Sequence, residues 1–403
     1  MIVGRDIIVV GIQPWDIEIG SNCKNIAEEM ARFNRVLYVN SPLDRNTKKK
    51  DKNDERVKRR IRISKGLEED LVEIKENMWN LFPKHMVESI NAIPDGFIYD
   101  IFNKKRNKIF ANDIQSAIDR LGFKDFIIFN DSSMFLGQDL KSLLKPKTYV
   151  YYMRDYLTKN PYWRKHGLRL EPKLIAKADV VVNNSTLYTE YGAKFNKHSY
   201  MVGQGCDVSL FNDKDNSIAI ADDIKNIAKP IIGYVGFLSS RRLDIDLLIH
   251  IAKTKKEWQI VLVGPEDDNF KNSDLHKFEN VHFLGSRDSS ILPNYIKGFD
   301  VCMNPQLIND ATIGNYPRKI DEYLAMGKPT VATATKAMEY FKENTYLATT
   351  HEEWITEIQK ALDEDSVELQ MQRTKCGMSH SWENNVKEIY KYIEAFEKRQ
   401  IEK

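Results

Sequence analysis

The chain has 403 residues, a hydrophobic content of 42% and a formal net charge of only +2. This length exceeds the size at which one hydrophobic core usually stops growing, so we expect two domains, and the balanced charge indicates no particular partner. The four cysteines are far apart and form no CxxC pair, and the eight histidines show no HExxH spacing. The cysteine spacing argues against a disulfide framework or a zinc knuckle and fits a reducing compartment.

The sequence predicts no membrane-spanning segment. No apolar run reaches the ~20 residues that a transmembrane helix needs. The apolar stretch near the N-terminus is short and lacks a small-residue cleavage site, so it reads as a first strand rather than a signal peptide. We therefore expect a cytoplasmic protein, one that could be peripheral at the inner membrane face.

Short β-branched runs alternate with helical patterns in the first half of the chain. Ile26, Met30 and Phe33 fall on one face of a predicted helix over 22–33. This βαβ alternation predicts a parallel sheet covered by helices on both sides. The predicted strands are DIIVVGI (6–12), RVLYVN (35–40), FIIFN (126–130), TYVYYM (148–153) and DVVVNN (179–184).

The alternation restarts after a polar stretch, 212–230, which we interpret as a linker. Helices are predicted over 244–253 and 317–326, and a long helix runs from Trp382 to the end. The predicted strands of this half are IIGYVGF (231–237), QIVLVG (259–264), VHFLG (281–285), DVCMNP (300–305) and PTVAT (329–333). The predicted organisation is two Rossmann-like domains facing each other across a cleft, 1–215 and 216–383, with helix 384–403 packing back on the first.

One segment, residues 45–65, is strongly basic. It holds eleven lysines and arginines against three acids, a local charge of +8. Most charge runs are solvated loops, and a partly disordered loop is one interpretation. Nucleic acid is disfavoured because no aromatic residue interleaves the run. The other interpretation is an anionic membrane partner, because each Lys or Arg near such a surface contributes ~1 kcal/mol.

The stretch NYPRKIDEYLAMGKPTVAT (315–333) predicts a helix whose start suits an anion. Proline fits the first helical position, and the N–H groups of Arg318 and Lys319 would point beyond the helix end. The helix dipole and two cations favour phosphate there. Glu322, one turn further, could accept two hydrogen bonds from a vicinal diol such as ribose. The alternative is a capped amphipathic helix with Glu322 in an ion pair.

A second candidate phosphate site is the loop that follows the strand ending at Gly236. Glycine lets a backbone approach phosphate closely, and Arg241 and Arg242 could bind it in bidentate fashion. The stretch is neither GxGxxG nor a Walker motif, which argues against a dinucleotide or P-loop site. A plain strand-turn-helix with solvated arginines is the alternative interpretation.

Several stretches in this order resemble a known family. The resemblance is to retaining GT-B glycosyltransferases of family 4, in the branch of teichuronic-acid biosynthesis glycosyltransferases, and it covers most of the chain except 45–125. The stretches that carry it are GYVGFLSSRRLDIDLL, VLVGPED, NVHFLGSRDSSILPNYIKGFDVCMNP, YPRKIDEYLAMGKPTVAT, HSWENNVKEIY, ADVVVNNSTLYTEYGAKFNKHSYMVGQGCDVSLF, IQPWD and YVYYMRDY.

The resemblance implies a role for each residue that matches the family pattern. Glu322 would bind the ribose, and the Gly285-Ser286-Arg287 turn would lie near the base. Two positions depart from the pattern: Gly314 replaces the first glutamate of E-x7-E, and Phe237 replaces an arginine. The diphosphate would then be held by the other donor-binding candidates. These are Gly236, Arg241, Arg242, Arg318 and Lys319, while Asn309, Asp310 and Thr312 are the candidates for the donor sugar.

The first half supplies the acceptor candidates. Trp15 and Asp16 offer a ring face and a carboxylate to a sugar, and Gly20 precedes the first helix. Asp155 matches an acidic position of the branch. We name Asp155, Asp310 and Arg242 as the catalytic candidates. Asn130 and Asp131 also follow a strand, but a turn is the favoured interpretation there, as for many Asn and Asp residues.

The resulting functional hypothesis is a hexosyltransferase-type enzyme. It would move a sugar, with retention, from a nucleoside diphosphate, most plausibly UDP, to a hydroxyl of a lipid-linked surface polysaccharide of the cell envelope. No cofactor or metal is expected, because cations and the helix dipole would stabilise the leaving diphosphate. Two alternatives stay open: a non-catalytic nucleotide-sugar-binding subunit of a glycan assembly complex, and a GT-B nucleotide-sugar 2-epimerase.

Overall fold

A computed structural model describes residues 1–17, 21–309, 312–314 and 316–402. The chain forms two compact units. The first comprises Met1–Gly203 together with Asn385–Lys403, and the second comprises Gln204–Asn384.

The first unit is built on an eight-stranded sheet. Its strands are β1 (Asp6–Gly11), β2 (Arg35–Val39), β3 (Leu71–Lys75), β4 (Met78–Leu81), β5 (Ile127–Asp131), β6 (Thr148–Met153), β7 (Val180–Asn183) and β8 (Ser199–Met201). Their order is β3-β4-β2-β1-β5-β6-β7-β8, and all neighbours are parallel except β3 and β4. The order reverses between β1 and β5, as in a doubly wound sheet.

Seven helices and most of an eighth accompany this sheet among the described residues. They are α1 (Asn22–Ala31), α2 (Arg45–Lys50), α3 (Glu55–Ser64), α4 (Phe97–Leu121), α5 (Leu140–Leu144), α6 (Pro161–Lys177) and α7 (Thr186–Ala193), with the long C-terminal helix given below. Ile8 and Val10 of β1 share a buried cluster with Ile114 of α4. All of β1 is buried, which explains its continuous apolar sequence.

The second unit has a six-stranded parallel sheet. Its strands are β9 (Ile231–Val235), β10 (Gln259–Val263), β11 (Val281–Gly285), β12 (Val301–Asn304), β13 (Thr330–Thr333) and β14 (Tyr346–Ala348). The order β11-β10-β9-β12-β13-β14 is the 3-2-1-4-5-6 order of a Rossmann sheet. The remaining helices are α8 (Ile245–Thr254), α9 (Asp268–Lys271), α10 (Leu292–Gly298), α11 (Arg318–Ala325), α12 (His351–Glu364), α13 (Val367–Ser379) and α14 (Trp382–Ile401).

Two local predictions from sequence need correction. Phe33 lies beyond the end of α1 and its side chain is exposed, so it is not part of the buried helix face. The basic run 45–65 is not a loop: it contains helices α2 and α3. Asp44 and Asp54 cap these helices by accepting hydrogen bonds from backbone N–H groups in their first turns.

Candidate functional site

The second unit has a topological switch point between β9 and β12. The order of the sheet reverses there, and in open α/β sheets ligands bind beyond the carboxyl ends of the strands at this point. Gly236 directly follows β9, and residues 305–309 directly follow β12. These two segments and the start of α11 therefore form the candidate site.

The backbone at Gly236 requires glycine. Its φ is +140°, a conformation that L side chains rarely adopt. Gly264, which follows β10 and has a φ of +152°, is also restricted to glycine. A Cβ at this position would lie only 2.0 Å from the carbonyl oxygen of Gly236. The backbones of Gly236 and Gly264 therefore approach each other closely at the end of β9, and neither residue places a side chain there.

Hydrogen bonds to two backbone carbonyls fix the loop of residues 237–243 against the segment after β12. Leu307 N donates to Arg242 O at 2.8 Å, and Asn309 Nδ2 donates to Arg241 O at 2.9 Å. The side chains of Arg241 and Arg242 are exposed. In the part of the chain that the structure describes, neither guanidinium has a hydrogen-bond or ion-pair partner, so both are available to an anion.

Thr312 holds the segment after β12 in place through hydrogen bonds. Its side chain is buried, its hydroxyl accepts from Asn309 N at 3.1 Å, and it donates to Leu307 O. Gln306 Nε2 donates to Thr312 O at 2.9 Å. Thr312 therefore orders the residues around Asn309. The candidate Asp310 lies outside the described residues.

Helix α11 begins at Arg318 rather than at Pro317. Pro317 occupies the N-cap position and has no side-chain hydrogen bond to the helix. The prediction that the Arg318 N–H is free is wrong, because it donates to Tyr316 O at 3.2 Å. The Lys319 Nζ lies 4.8 Å from the ring centroid of Tyr234 and 3.4 Å from the position that a Cβ of Gly236 would occupy. The Lys319 cation is therefore placed at the glycine turn.

Glu322 lies one turn into α11 and is half-buried. Burial raises the pKa of its carboxyl above the ordinary value, although the nearby cations Arg318 and Lys319 oppose the shift. Within residues 1–17, 21–309, 312–314 and 316–402, its carboxylate accepts no hydrogen bond and forms no ion pair. A partly buried carboxylate without a protein partner is suited to accept hydrogen bonds from a ligand.

Sequence reasoning missed the buried carboxylate beside Glu322. Asp321 is fully buried, and its Oδ1 accepts from the Tyr316 hydroxyl at 3.0 Å and lies 2.7 Å from His380 Nδ1. Burial raises the pKa of Asp321, while His380 and Tyr316 oppose the shift. These contacts hold the first turn of α11 to the segment after α13. The signal available in the sequence was His380 in HSWENNVKEIY, which the family resemblance had included without a role.

Arg287 is engaged within the second unit. Its Nε donates to the Tyr295 hydroxyl at 2.7 Å, and its Nη2 forms a 2.9 Å ion pair with Asp223. Hydrogen bonds from Arg287 to Asp223 and Tyr295 raise the pKa of its guanidinium. The turn after β11 is therefore rigidly held, and the proposed contact of this turn with a base stays a prediction.

The acceptor candidates of the first unit follow β1. Trp15 is half-buried and packs edge-on against Tyr38 with ring centroids 5.1 Å apart. Both oxygens of Asp16 accept from Arg60 of α3, at 2.9 and 3.0 Å. Asp16 thus anchors the basic segment in addition to any role with an acceptor. Gly20 lies outside the described residues.

Asp155, the other candidate of this unit, follows β6 and is paired with Arg154 at 3.0 Å. Arg154 also bonds the fully buried Asp131 at 2.9 Å. Burial opposes the charge of Arg154, but the two carboxylates outweigh it and raise its pKa. Asn130 forms a turn, since its Oδ1 accepts from Ser133 N at 2.9 Å.

The described residues show neither a metal-binding cluster nor a membrane-spanning helix. No group of three or more His, Cys, Asp or Glu side chains there is arranged to hold a metal ion. Among the helices of the same residues, none combines the length and the apolar character needed to cross a membrane.

Comparison with known proteins finds similar sequences. Residues 229–364 match the family described as Glycosyl transferases group 1. Over 235 residues the chain is 25% identical to TuaH of Bacillus subtilis (strain 168), whose name assigns it to teichuronic acid biosynthesis as a glycosyltransferase. The match covers 55% of this chain and 58% of TuaH, so the chain spans a little over half the length of this curated relative.

Solved structures resemble the whole chain at low sequence identity. HepE of Anabaena, solved in complex with UDP, gives a TM-score of 0.66 at 13% identity and covers 97% of this chain and 100% of HepE. Sucrose-phosphate synthase from Thermosynechococcus elongatus gives a TM-score of 0.64 at 16% identity and covers 97% of this chain and 98% of the synthase.

The fold is the GT-B fold of glycosyltransferases, with two Rossmann-like domains, and it confirms the predicted fold class. The match to group 1 glycosyl transferases, residues 229–364, lies inside the second unit. The family recognised from sequence is thereby confirmed at the level of GT-B glycosyltransferases.

Proposed function

We propose that the protein is a retaining glycosyltransferase. It transfers a sugar from a nucleoside-diphosphate donor, UDP in the first instance, to a hydroxyl of a lipid-linked surface polysaccharide. The observation that carries the proposal is the arrangement at the switch point of the second unit. There the Glu322 carboxylate, which has no partner among the described residues, lies one turn behind the Lys319 cation and the Gly236 turn.

The donor is held by complementary charges in this proposal. The diphosphate lies against Gly236, where the backbone can approach it closely, and is neutralised by Lys319 together with Arg241 and Arg242. Glu322 accepts hydrogen bonds from the ribose hydroxyls. Hydrogen bonds to a charged group are worth roughly 1.5–3 kcal/mol each, so Glu322 should contribute strongly to affinity.

Catalysis then depends mainly on stabilising the departing diphosphate. As the bond between the anomeric carbon and the donor phosphate breaks, negative charge develops on the diphosphate, and fixed cations stabilise it without reorganising. An oxygen of the leaving diphosphate takes the proton of the acceptor hydroxyl, so no separate strong base is needed. Arg242 is assigned to the diphosphate, and Asp155 and Asp310 to positioning of the sugars.

The assignments of donor and acceptor draw support from relatives. HepE is a structural neighbour that was solved with UDP and, in another complex, with UDP-glucose. TuaH is named for the synthesis of teichuronic acid. These facts favour a uridine nucleotide as donor and an envelope polysaccharide as acceptor for this chain.

A membrane-facing role for the basic segment 45–65 is part of the proposal, with the protein cytoplasmic and peripheral. Most arginines of the segment form ion pairs with carboxylates. Arg59 and Arg62 pair with Glu68, and Arg60 pairs with Asp16. In contrast, Lys48, Lys49 and Lys50 end α2 and have no partner among the described residues. The charge available to anionic lipid is therefore concentrated on α2.

A thermal-shift screen of UDP, ADP, GDP and uridine tests the donor assignment, because a ligand that binds only the folded state stabilises it by mass action. We expect UDP to raise the Tm most and uridine least. Hydrolysis or transfer of UDP-sugars should then be measured with the preferred nucleotide. Absence of any nucleoside-diphosphate shift would contradict the proposal.

A further inference from the structure

Arg106 lies near the middle of α4. Its side chain is half-buried, and its Nε is fully buried with no hydrogen-bond partner. In the described part of the chain the guanidinium makes no ion pair. Burial lowers its pKa. A buried N–H group without a hydrogen bond is costly to the folded state, so the Arg106 Nε is suited to a ligand that accepts from it.

Arg106 lines a pocket of about 320 Å³ in the first unit. The pocket is formed where several connections that follow the carboxyl ends of parallel strands meet α4. Asp44 and Lys50 come from the segment after β2, Phe135 from the segment after β5, and Tyr162 from the segment after β6. This edge of a parallel sheet is where α/β proteins bind their ligands.

Two phenols share the pocket with Arg106. Tyr99 is almost fully buried, and its ring stacks on His166 with centroids 3.6 Å apart. Tyr162 is half-exposed at the pocket mouth. Neither hydroxyl has a hydrogen-bond partner among the residues that the structure describes. The pocket therefore offers a guanidinium and two O–H donors, with the Lys50 ammonium at its rim.

The carboxylates in the pocket do not neutralise Arg106. Asp44 interacts electrostatically with Arg106, but it accepts hydrogen bonds from Asn46 N, from Thr47 and from the Ser89 hydroxyl, and it forms no ion pair with Arg106. Burial alone would raise the pKa of Asp44, but these hydrogen bonds outweigh it and lower the pKa. Asp51 is an exposed residue of the lining.

We propose that this pocket is a binding site for a phosphate group, held by Arg106, Tyr99 and Tyr162. A phosphate has enough acceptor oxygens for all three donors, and the planar guanidinium binds it in bidentate fashion. The site is in the first unit and is separate from the residues assigned to the donor diphosphate.

The identity of this phosphate rests on the proposed function. It is the phosphate that links the acceptor glycan to its lipid. The surroundings favour a lipid source over a free phosphate. The first turns of α4, which carries Tyr99 and Arg106, expose the apolar side chains of Phe97, Ile98 and Ile101 to solvent. An exposed apolar face beside a phosphate site suits an acyl or prenyl chain.

The test uses the full-length protein saturated with UDP, so that the second unit is already occupied. The probes are inorganic phosphate and a short-chain phosphatidic acid below its micelle concentration. Thermal shift and calorimetry should show binding of both by wild type, and at least about tenfold weaker binding by Arg106→Met. The matched control is Lys105→Met, the neighbouring exposed cation on the same helix.

Stability of the ligand-free protein provides the second measurement. Because Arg106→Met removes an unpaired buried charge, the variant should have a Tm equal to or higher than that of wild type. A lower Tm would indicate a structural role for Arg106 and contradict the proposal. Equal loss of phosphate binding in Arg106→Met and Lys105→Met, or no binding of either probe by wild type, would also overturn it.

The source of the phosphate is resolved by comparing the two probes. Tighter binding of the lipid, reduced by Phe97→Ser together with Ile101→Ser, supports a lipid-linked ligand. Equal affinity for both probes still supports the phosphate site and assigns the recognition to the phosphate alone. UDP binding measured beforehand reports on the donor site independently of either outcome.

Discussion

His380 Nδ1 lies 2.7 Å from Oδ1 of Asp321, the fully buried residue that immediately precedes Glu322. When the carboxylate is ionised it only accepts hydrogen bonds, and the imidazole then donates in this contact. The pair ties α11 to the segment after α13. Glu322 therefore directly follows a residue that is held by a buried contact.

Replacing His380 by alanine should weaken the attachment of α11 to the segment after α13. The substitution leaves a buried carboxylate with only the Tyr316 hydroxyl, and an unsatisfied buried group costs about 1–3 kcal/mol. We expect a lower Tm and weaker UDP binding, measured by calorimetry. His276→Ala is the control, because its partner Glu266 lies at a more exposed position and the loss should be small. Equal effects of the two substitutions would contradict the assignment.

Glu171 of α6 makes the stability of the first unit depend on pH. Its side chain is buried, it accepts from the Tyr151 hydroxyl at 2.8 Å, and burial raises its pKa to about 7, with Tyr151 opposing. As pH rises from the ordinary value of 4.5 to about 7, the unfolded chain loses this proton first. The folded state is then disfavoured, by up to roughly 3 kcal/mol above pH 7.

Glu171→Gln should remove this dependence. In urea denaturation the variant should gain stability relative to wild type between pH 5 and pH 7.5. Glu190→Gln, an exposed position on the neighbouring helix α7, should show no such gain. A difference between Glu171→Gln and wild type that is constant with pH would contradict the raised pKa.

Arg241 and Arg242 should distinguish a diphosphate from a nucleoside. Their guanidinium groups are exposed and unpartnered in the described part of the chain, beside the Gly236 turn. We expect Arg242→Ala, and to a smaller degree Arg241→Ala, to weaken UDP binding severalfold and leave uridine binding nearly unchanged. Equal losses for the two ligands in calorimetry would show that these arginines do not contact the diphosphate.

The lysines that end α2 should carry the attraction to anionic lipid. Each contributes ~1 kcal/mol near an anionic surface, and salt screens the effect. Wild type should sediment with anionic vesicles at low salt and should not sediment with neutral vesicles. Replacing residues 48–50 by glutamine should abolish the sedimentation with anionic vesicles. Exchanging Lys253, Lys256 and Lys271 of the second unit is the charge-matched control. Binding of wild type to both vesicle types, or to neither, would contradict the proposal.

The sequence predicted the longer parallel strands because they are largely buried and therefore form continuous apolar runs. The parallel strands β4, β8 and β14 were missed because each has only three or four residues. Strand β3 was missed because it is an edge strand whose residues are half-buried or exposed, which leaves no such run. The helices α2 and α3 were missed because their caps, Asp44 and Asp54, are hidden within a run of charges.

The site was predictable in part. Gly236, Lys319 and Glu322 follow strands or begin a helix, so their spacing along the chain carried the signal. Arg106 and the pair of Asp321 with His380 were not predictable, because each depends on contacts between residues distant in sequence. Asp16 was predicted from its position beside Trp15, but its ion pair with Arg60 required the fold of α3.

Calorimetric titration of UDP into wild type and Glu322→Ala tests the central claim most directly. Two hydrogen bonds from ribose to a charged carboxylate are worth enough that their loss should weaken binding by at least about tenfold, or 1.4 kcal/mol. Glu343→Ala, an exposed glutamate of the same unit, should bind UDP like wild type. An unchanged Kd in a folded Glu322→Ala variant would contradict the assignment of Glu322 to the donor.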